Sequence, residues 1–200
     1  MTGPVVAALY VDTARGPYPR MPGVECWGFS TRNGRQIDAF ACNRDARRYD
    51  GPHPIVAHPP CGPWGRFYWN YKGGEGARSC GLRAVEQVRA HGGVLEHPAH
   101  SSLWDACGMP APGEGFDIDG GYTLAVRQCD WGHRAAKPTW LYICGASSVP
   151  DMPPPGEPSH VMVRLLRNNC DKPELPKKER HITPPRFAAW LVELAQRCSR

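Results

Sequence analysis

The chain reads as a single α/β domain built on a mostly parallel sheet, and three observations predict it. Val5 to Val11 is a near-continuous apolar run ended by Asp12, the pattern of a strand covered on both faces. Ile55-Val56-Ala57 is a second such run, stopped by Pro59 and Pro60, which have no N–H for a sheet ladder. A helical pattern then leads through Gly92-Gly93 into a third run, Val94-Leu95, so the order is strand, helix, strand. At 200 residues one domain is expected over residues 1–200, long enough for a sizeable core.

The remaining elements follow from local signals. Thr13 to Pro22 carries Gly16, Pro17, Pro19 and Pro22 and is a loop. Val24, Cys26, Trp27 and Phe29 suggest a second strand, Asn33-Gly34 a turn, and Ile37 to Cys42 a third strand. Ser79 has the character of a helix N-cap, with Leu82, Val85 and Val88 on one face and Gly92-Gly93 as the stop. Ser101 to Trp104 starts a short helix, and Pro110 to Gly121 is loop. Tyr122 to Cys129 and Thr139 to Cys144 read as strands joined by a hairpin-like connection over Asp130 to Pro138. Residues 146–180 are irregular, with a proline-rich linker over Ser147 to Pro158; Lys177, Lys178 and Arg180 there form a basic patch. Phe187, Trp190, Leu191 and Leu194 recur at helical spacing after Pro184-Pro185, which closes the chain with an amphipathic helix.

A net charge of +5 suits a polyanionic partner without demanding one. The nine cysteines are odd in number and lack a framework of spacings, no secretory leader is recognisable, and no segment reaches membrane-spanning length. A cytoplasmic protein with reduced thiols, no membrane association and no obligate protein partner is expected.

Two polar residues stand out because each follows a buried strand. Cys61, in a tight turn with Gly62 and Pro63, lies where α/β sheets bind ligands, beyond a strand's carboxyl end. It is a candidate nucleophile, the competing readings being a buried structural thiol and a metal ligand. Glu96 directly follows Val94-Leu95, and a carboxylate so close to a core needs a partner or a function. His58 reads as a loop histidine that supports the site. After Cys61, Phe67, Tyr68, Trp69 and Tyr71 alternate with Arg66 and Lys72, a composition that stacks on nucleobases or caps a core edge. His58-x-x-Cys61, His97-x-x-His100 and Cys129-x-x-x-His133 have tolerable zinc-ligand spacings, so a zinc-binding module is a rival reading.

Four segments, in order, resemble the DNA (cytosine-5) methyltransferases. Pro59-Pro60-Cys61-Gly62-Pro63-Trp64 is similar to the Pro-Cys loop bearing the nucleophile, and Leu95-Glu96-His97-Pro98 to the motif whose glutamate holds the cytosine. Asp130 to Gly145 resembles the motif that runs from a basic stretch into an apolar strand, and Ile182-Thr183-Pro184-Pro185-Arg186 the C-terminal motif that returns to the cofactor side. The set is most similar to small, divergent bacteriophage and prophage members. The resemblance implies a Rossmann-like, truncated class I methyltransferase core acting in the cytoplasm of a bacterial or phage-infected cell.

It implies Cys61, Glu96, Arg134 and Lys137 as catalytic residues and Trp64, Arg66 and His97 as substrate contacts. Asp12, Gly16, Pro60 and Thr183 would bind S-adenosylmethionine, and no metal is implied. Glu96 is expected to be protonated by a pocket that raises its pKa, relieving charge near N3 of the base. Of the family's glycine-rich first motif only Gly16 remains, and His97 replaces an asparagine. Residues 146–180 stand in place of a target recognition domain, so the implied partner is DNA of low sequence selectivity or a pyrimidine nucleotide. A catalytically inactive or accessory nucleic-acid-binding protein on the same scaffold is the alternative.

Overall fold

The computed structural model describes residues 5–28, 31–32, 35–36, 44–72, 75–163 and 171–198. The first apolar run forms β1 (Val6–Leu9), whose four side chains are fully buried, and Tyr10 ends it by turning into the left-handed region at φ 61°. β2 (Val24–Trp27), β5 (Ile55–Ala57) and β6 (Gly93–Pro98) pair parallel with it or with one another, Ala8 standing beside Val56 and Val56 beside Val94. β7 (Gly121–Arg127) and β8 (Pro138–Cys144) complete the sheet, β8 running antiparallel to both β6 and β7. A separate two-stranded pair joins β3 (Thr31–Arg32) to β4 (Arg35–Gln36).

The six-stranded order is β2-β1-β5-β6-β8-β7. The chain moves outward from β1 to β2 and then returns to β5 on the other side of β1. The order therefore reverses between β1 and β5, and their carboxyl ends flank the crevice where such sheets bind ligands. This is the mostly parallel α/β sheet that the apolar runs predict. Phe29, Asn33-Gly34 and the strand expected over Ile37 to Cys42 lie outside the described residues.

Strand alternation sorts the core onto two faces. Val6, Ala8, Val56 and Val94 meet Phe187, Leu191 and Leu194 of α3 (Pro185–Gln196), while Ala7, Leu9, Ile55 and Leu95 meet Ala84, Val85 and Val88 of α1 (Glu75–His91). α2 (Leu103–Cys107) extends the second face with Leu103 and Trp104. Each fully buried Val, Leu or Ile contributes about 1.5–3 kcal/mol, so these two layers hold the sheet between its helices.

Two local expectations are corrected. α1 begins at Glu75, not at Ser79, whose hydroxyl instead donates back to the Gly76 carbonyl at 3.0 Å. Leu82 is 39% exposed, because the buried stripe runs through Ala77, Cys80, Ala84, Val85 and Val88. The described part of residues 146–180 holds a 3-10 turn at Lys177–Glu179, is otherwise without helix or strand, and is pinned down. The Trp190 indole donates to the Asp151 carbonyl, Arg197 to that of Val149, and the Gly156 N–H to Asp130. No helix among the described residues is long and apolar enough to cross a membrane.

Candidate active site

The carboxyl ends of β1, β5 and β6 open into a cavity of about 1280 Å³. β5 ends in His58-Pro59-Pro60-Cys61, where the prolines stop the ladder and turn the chain across the cavity floor. β6 ends in Glu96-His97-Pro98. Because β8 is antiparallel, its first residues, Lys137 to Thr139, arrive at the same rim, Thr139 standing opposite Pro98. Tyr10 and Lys137, two of the three described non-glycine residues with positive φ, both line this cavity. Each costs about 1–2 kcal/mol relative to a relaxed backbone, strain of the kind that collects at functional sites.

Glu96 is held from three directions. Oε2 meets His58 Nδ1 at 3.0 Å, Oε1 accepts from Gln128 Nε2 at 2.8 Å, and the Thr139 hydroxyl lies 3.5 Å from the same oxygen. Gln128 is fully buried and also donates to Thr139 at 3.0 Å. On the far side of the imidazole, His58 Nε2 lies 2.6 Å from the Tyr18 hydroxyl. Burial, followed by the field of Glu96, pushes the Tyr18 phenol well above its ordinary value, so it keeps its proton. A carboxylate oxygen only accepts, so His58 Nδ1–H donates to Glu96, and Nε2 meets the Tyr18 hydroxyl on the other side. A connected chain, Tyr18 to His58 to Glu96, enters the cavity wall.

The charge state of Glu96 corrects the expected one. Burial opposes ionisation, but the hydrogen bond and field of His58 and the charge of Lys137 outweigh it and hold the carboxyl at about 2. Glu96 is thus an anion at neutral pH. Its folded-state value lies below the ordinary 4.5, so the stability it contributes is complete above that pH and is lost as pH falls toward 2. That contribution is of order 3 kcal/mol. Between pH 5 and 2, unfolding titrations are expected to show wild type losing this increment and Glu96→Gln keeping a flatter profile; parallel profiles would contradict the assignment.

Cys61 faces the same cavity. Burial, then the Glu96 charge, raises its pKa, while Lys137 pulls it down, so the resting group is a thiol. His97 is 1% exposed, with Nδ1 2.7 Å from the Ser101 hydroxyl. Burial pushes it down to about 4, against Glu96 and the Pro60 carbonyl, and it is neutral at pH 7.

Of the residues that the sequence points to, Cys61, Glu96, Lys137, Asp12, Gly16, Pro60, Thr183, Arg66 and His97 all line the cavity. Two do not. Trp64 is 2% exposed and belongs to the core, where Gly81 lets α1 approach its ring; a Cβ there would sit 2.6 Å from the indole nitrogen. Arg134 turns away to Glu179 at 2.6 Å and His160 at 2.6 Å. Gln128, Thr139 and Tyr18 enter the site without having been singled out. The zinc-like spacings do not converge: His58 is committed to Tyr18 and Glu96, Cys129 to the Gly156 carbonyl and His133 to that of Ala135. Among the described residues no group of three or more His, Cys, Asp or Glu is placed to hold a metal ion.

Comparison of the chain with family models, curated proteins and solved structures finds no match.

Proposed function

We propose that the protein activates C5 of a pyrimidine base through transient addition of Cys61 to C6, in the manner of the DNA (cytosine-5) methyltransferases it resembles. The observation that carries this reading is that Cys61 and an oriented, ionised Glu96 share one cavity at the reversal point of the sheet. C5 of cytosine is a weak nucleophile. When the Cys61 thiol gives up its proton and the sulfur bonds to C6, the C5–C6 π pair shifts to C4–C5, the C4–N3 π pair moves onto N3 and N3 takes a proton, leaving an enamine whose C5 attacks an electrophile.

Glu96 accepts from the 4-amino group and passes on the proton that N3 needs. As an anion it has none of its own, so the proton it passes on is the one the Cys61 thiol gives up, while His58, hydrogen-bonded to Glu96 on one side and to Tyr18 on the other, holds the carboxylate in place. Lys137, at the rim, favours the thiolate as it attacks. As C5 attacks, the N3 lone pair restores the C4–N3 π bond; water then takes the C5 hydrogen as a proton, the C5–H pair re-forms the C5–C6 π bond, the S–C6 bond breaks, and the N3 proton returns through Glu96 to the Cys61 sulfur.

The cavity exceeds the roughly 300–1,000 Å³ usual for one small molecule, which leaves room for a base beside a nucleoside-sized donor. Asp12 and Thr183 would offer it a carboxylate and a hydroxyl, and Gly16, with open space beside its α-carbon, a close backbone wall. S-adenosylmethionine would supply an electrophilic methyl group to C5.

The test is covalent trapping on DNA containing 5-fluorocytosine with S-adenosylmethionine, beside donor-free exchange of the C5 hydrogen of cytosine. Wild type is expected to give a denaturation-resistant adduct and measurable exchange, and Cys61→Ala neither. Exchange without donor-dependent trapping would remove S-adenosylmethionine from the proposal and leave Cys61 in it. Neither signal on any strand form would overturn the enzyme and leave a nucleic-acid binder.

A further inference from the structure

Beside the cavity mouth the chain makes a tight turn that puts three aromatic rings into water. Phe67 is 46%, Tyr68 55% and Trp69 63% exposed, where rings of this size are ordinarily covered. They pack edge to face on one another, with Trp69 centred 5.6 Å from both neighbours, so their outer faces stay open. Arg66 and Tyr71, on either side in sequence, line the cavity, and the Arg66 guanidinium lies 6.0 Å from the Phe67 ring. Arg66 and Lys72 are the charged residues between positions 61 and 72, and neither is acidic. Arg15, Arg20 and Lys137 add positive charge to the same cavity, against the carboxylates Asp12 and Glu96.

We propose that this turn is a docking platform for single-stranded DNA, which stacks unpaired bases on Phe67, Tyr68 and Trp69 while its backbone follows the cations and one base enters the cavity. Charge complementarity and continuity with the cavity identify the occupant. An aromatic face offered to solvent pairs with the π-face of an unstacked base, a surface that duplex DNA hides in its own stack. A free nucleotide would fill the cavity and leave the rings bare. The described part of the segment that follows β8 is tied down by Asp130, Trp190 and Arg197 and does not project as a groove-reading arm. The location of the target base rests on the reading of the cavity proposed above; binding to the rings does not.

The experiment measures binding of a labelled oligodeoxynucleotide of about 15 residues, a duplex and an oligoribonucleotide of the same sequence, and free deoxycytidine monophosphate as competitor. The single-stranded DNA is expected to bind at least about tenfold tighter than the duplex, with affinity falling steeply as salt rises. Trp69→Ala is expected to weaken it about ten- to a hundredfold, and Trp69→Phe to recover most of the loss. An unchanged melting temperature separates this from misfolding. Equal or tighter duplex binding, preference for RNA, or Trp69→Ala binding as wild type would each overturn the platform. Retained single-strand binding with no Cys61 adduct would instead sink the catalytic reading alone.

Discussion

Glu96→Gln is expected to slow C5-hydrogen exchange by about two to four orders of magnitude and, in the same protein, to speed alkylation of Cys61 several-fold. The two effects have opposite signs because Glu96 acts on two groups. Its charge raises the Cys61 pKa, so removing it increases the thiolate fraction at neutral pH. Its carboxylate also carries the proton to the base, which a carboxamide does not do. The substitution is tolerable to the fold: the glutamine oxygen still accepts from Gln128, and its NH2 donates to His58 Nδ1 if the imidazole adopts its other tautomer. His58 then donates from Nε2 toward Tyr18. Iodoacetamide labelling of the Cys61 peptide, followed by mass spectrometry, reads one effect and exchange the other. If both rates fell together, Glu96 would be acting only through the structure of the site.

Gly93→Ala is expected to cost about 4 kcal/mol or more, enough to leave a domain of ordinary stability, about 5–15 kcal/mol, barely folded. Gly93 opens β6 at φ 129°, and a Cβ there would lie 2.1 Å from the Ile55 carbonyl oxygen and 2.5 Å from its nitrogen. Both are backbone atoms of the neighbouring strand, so nothing flexible yields. Backbone strain of about 1–3 kcal/mol adds to the overpacking. Gly76→Ala, in α1 with nothing within 4 Å of the new Cβ, is the control and is expected to gain about 0.5–1 kcal/mol. Denaturant unfolding of the pair measures the difference, and a Gly93→Ala protein as stable as wild type would mean that β5 and β6 are not packed at this register.

The strands were legible because their apolar runs are short, dense and cut by proline or glycine. Glu96 was legible because it is a polar residue directly after such a run, and Cys61 because it follows the two prolines that cut one. His58 directly follows Ala57, and that adjacency, which the reading as a loop or supporting histidine undervalues, is the local sign of its place in the site. Gln128 left a fainter trace: it continues the inward alternation of Val126, where a polar side chain requires a partner. Tyr18 left none, since a proline-rich loop gives no sign that one of its rings is 3% exposed. Trp64 and Arg134 show the reverse error. The motif pattern selected them, but Gly81 offers the indole a place in the core, and the partner of Arg134 lies 45 residues away at Glu179. Pairings at that distance leave no local signature.

The reversed direction of β8 changes where innovation can enter this protein. The parallel strands deliver their chemistry last, after the apolar segment that anchors them, so every change at their tips is inherited by a helix or loop that must rejoin the sheet. β8 delivers its chemistry first, with Lys137 and Thr139 preceding Leu141 and Ile143. The exposed positions of the connection from Gln128 to Lys137, Gly132 and Arg134, can therefore be rewritten upstream of a strand that still seats itself by its later, apolar residues. New substrate preferences are most cheaply acquired there.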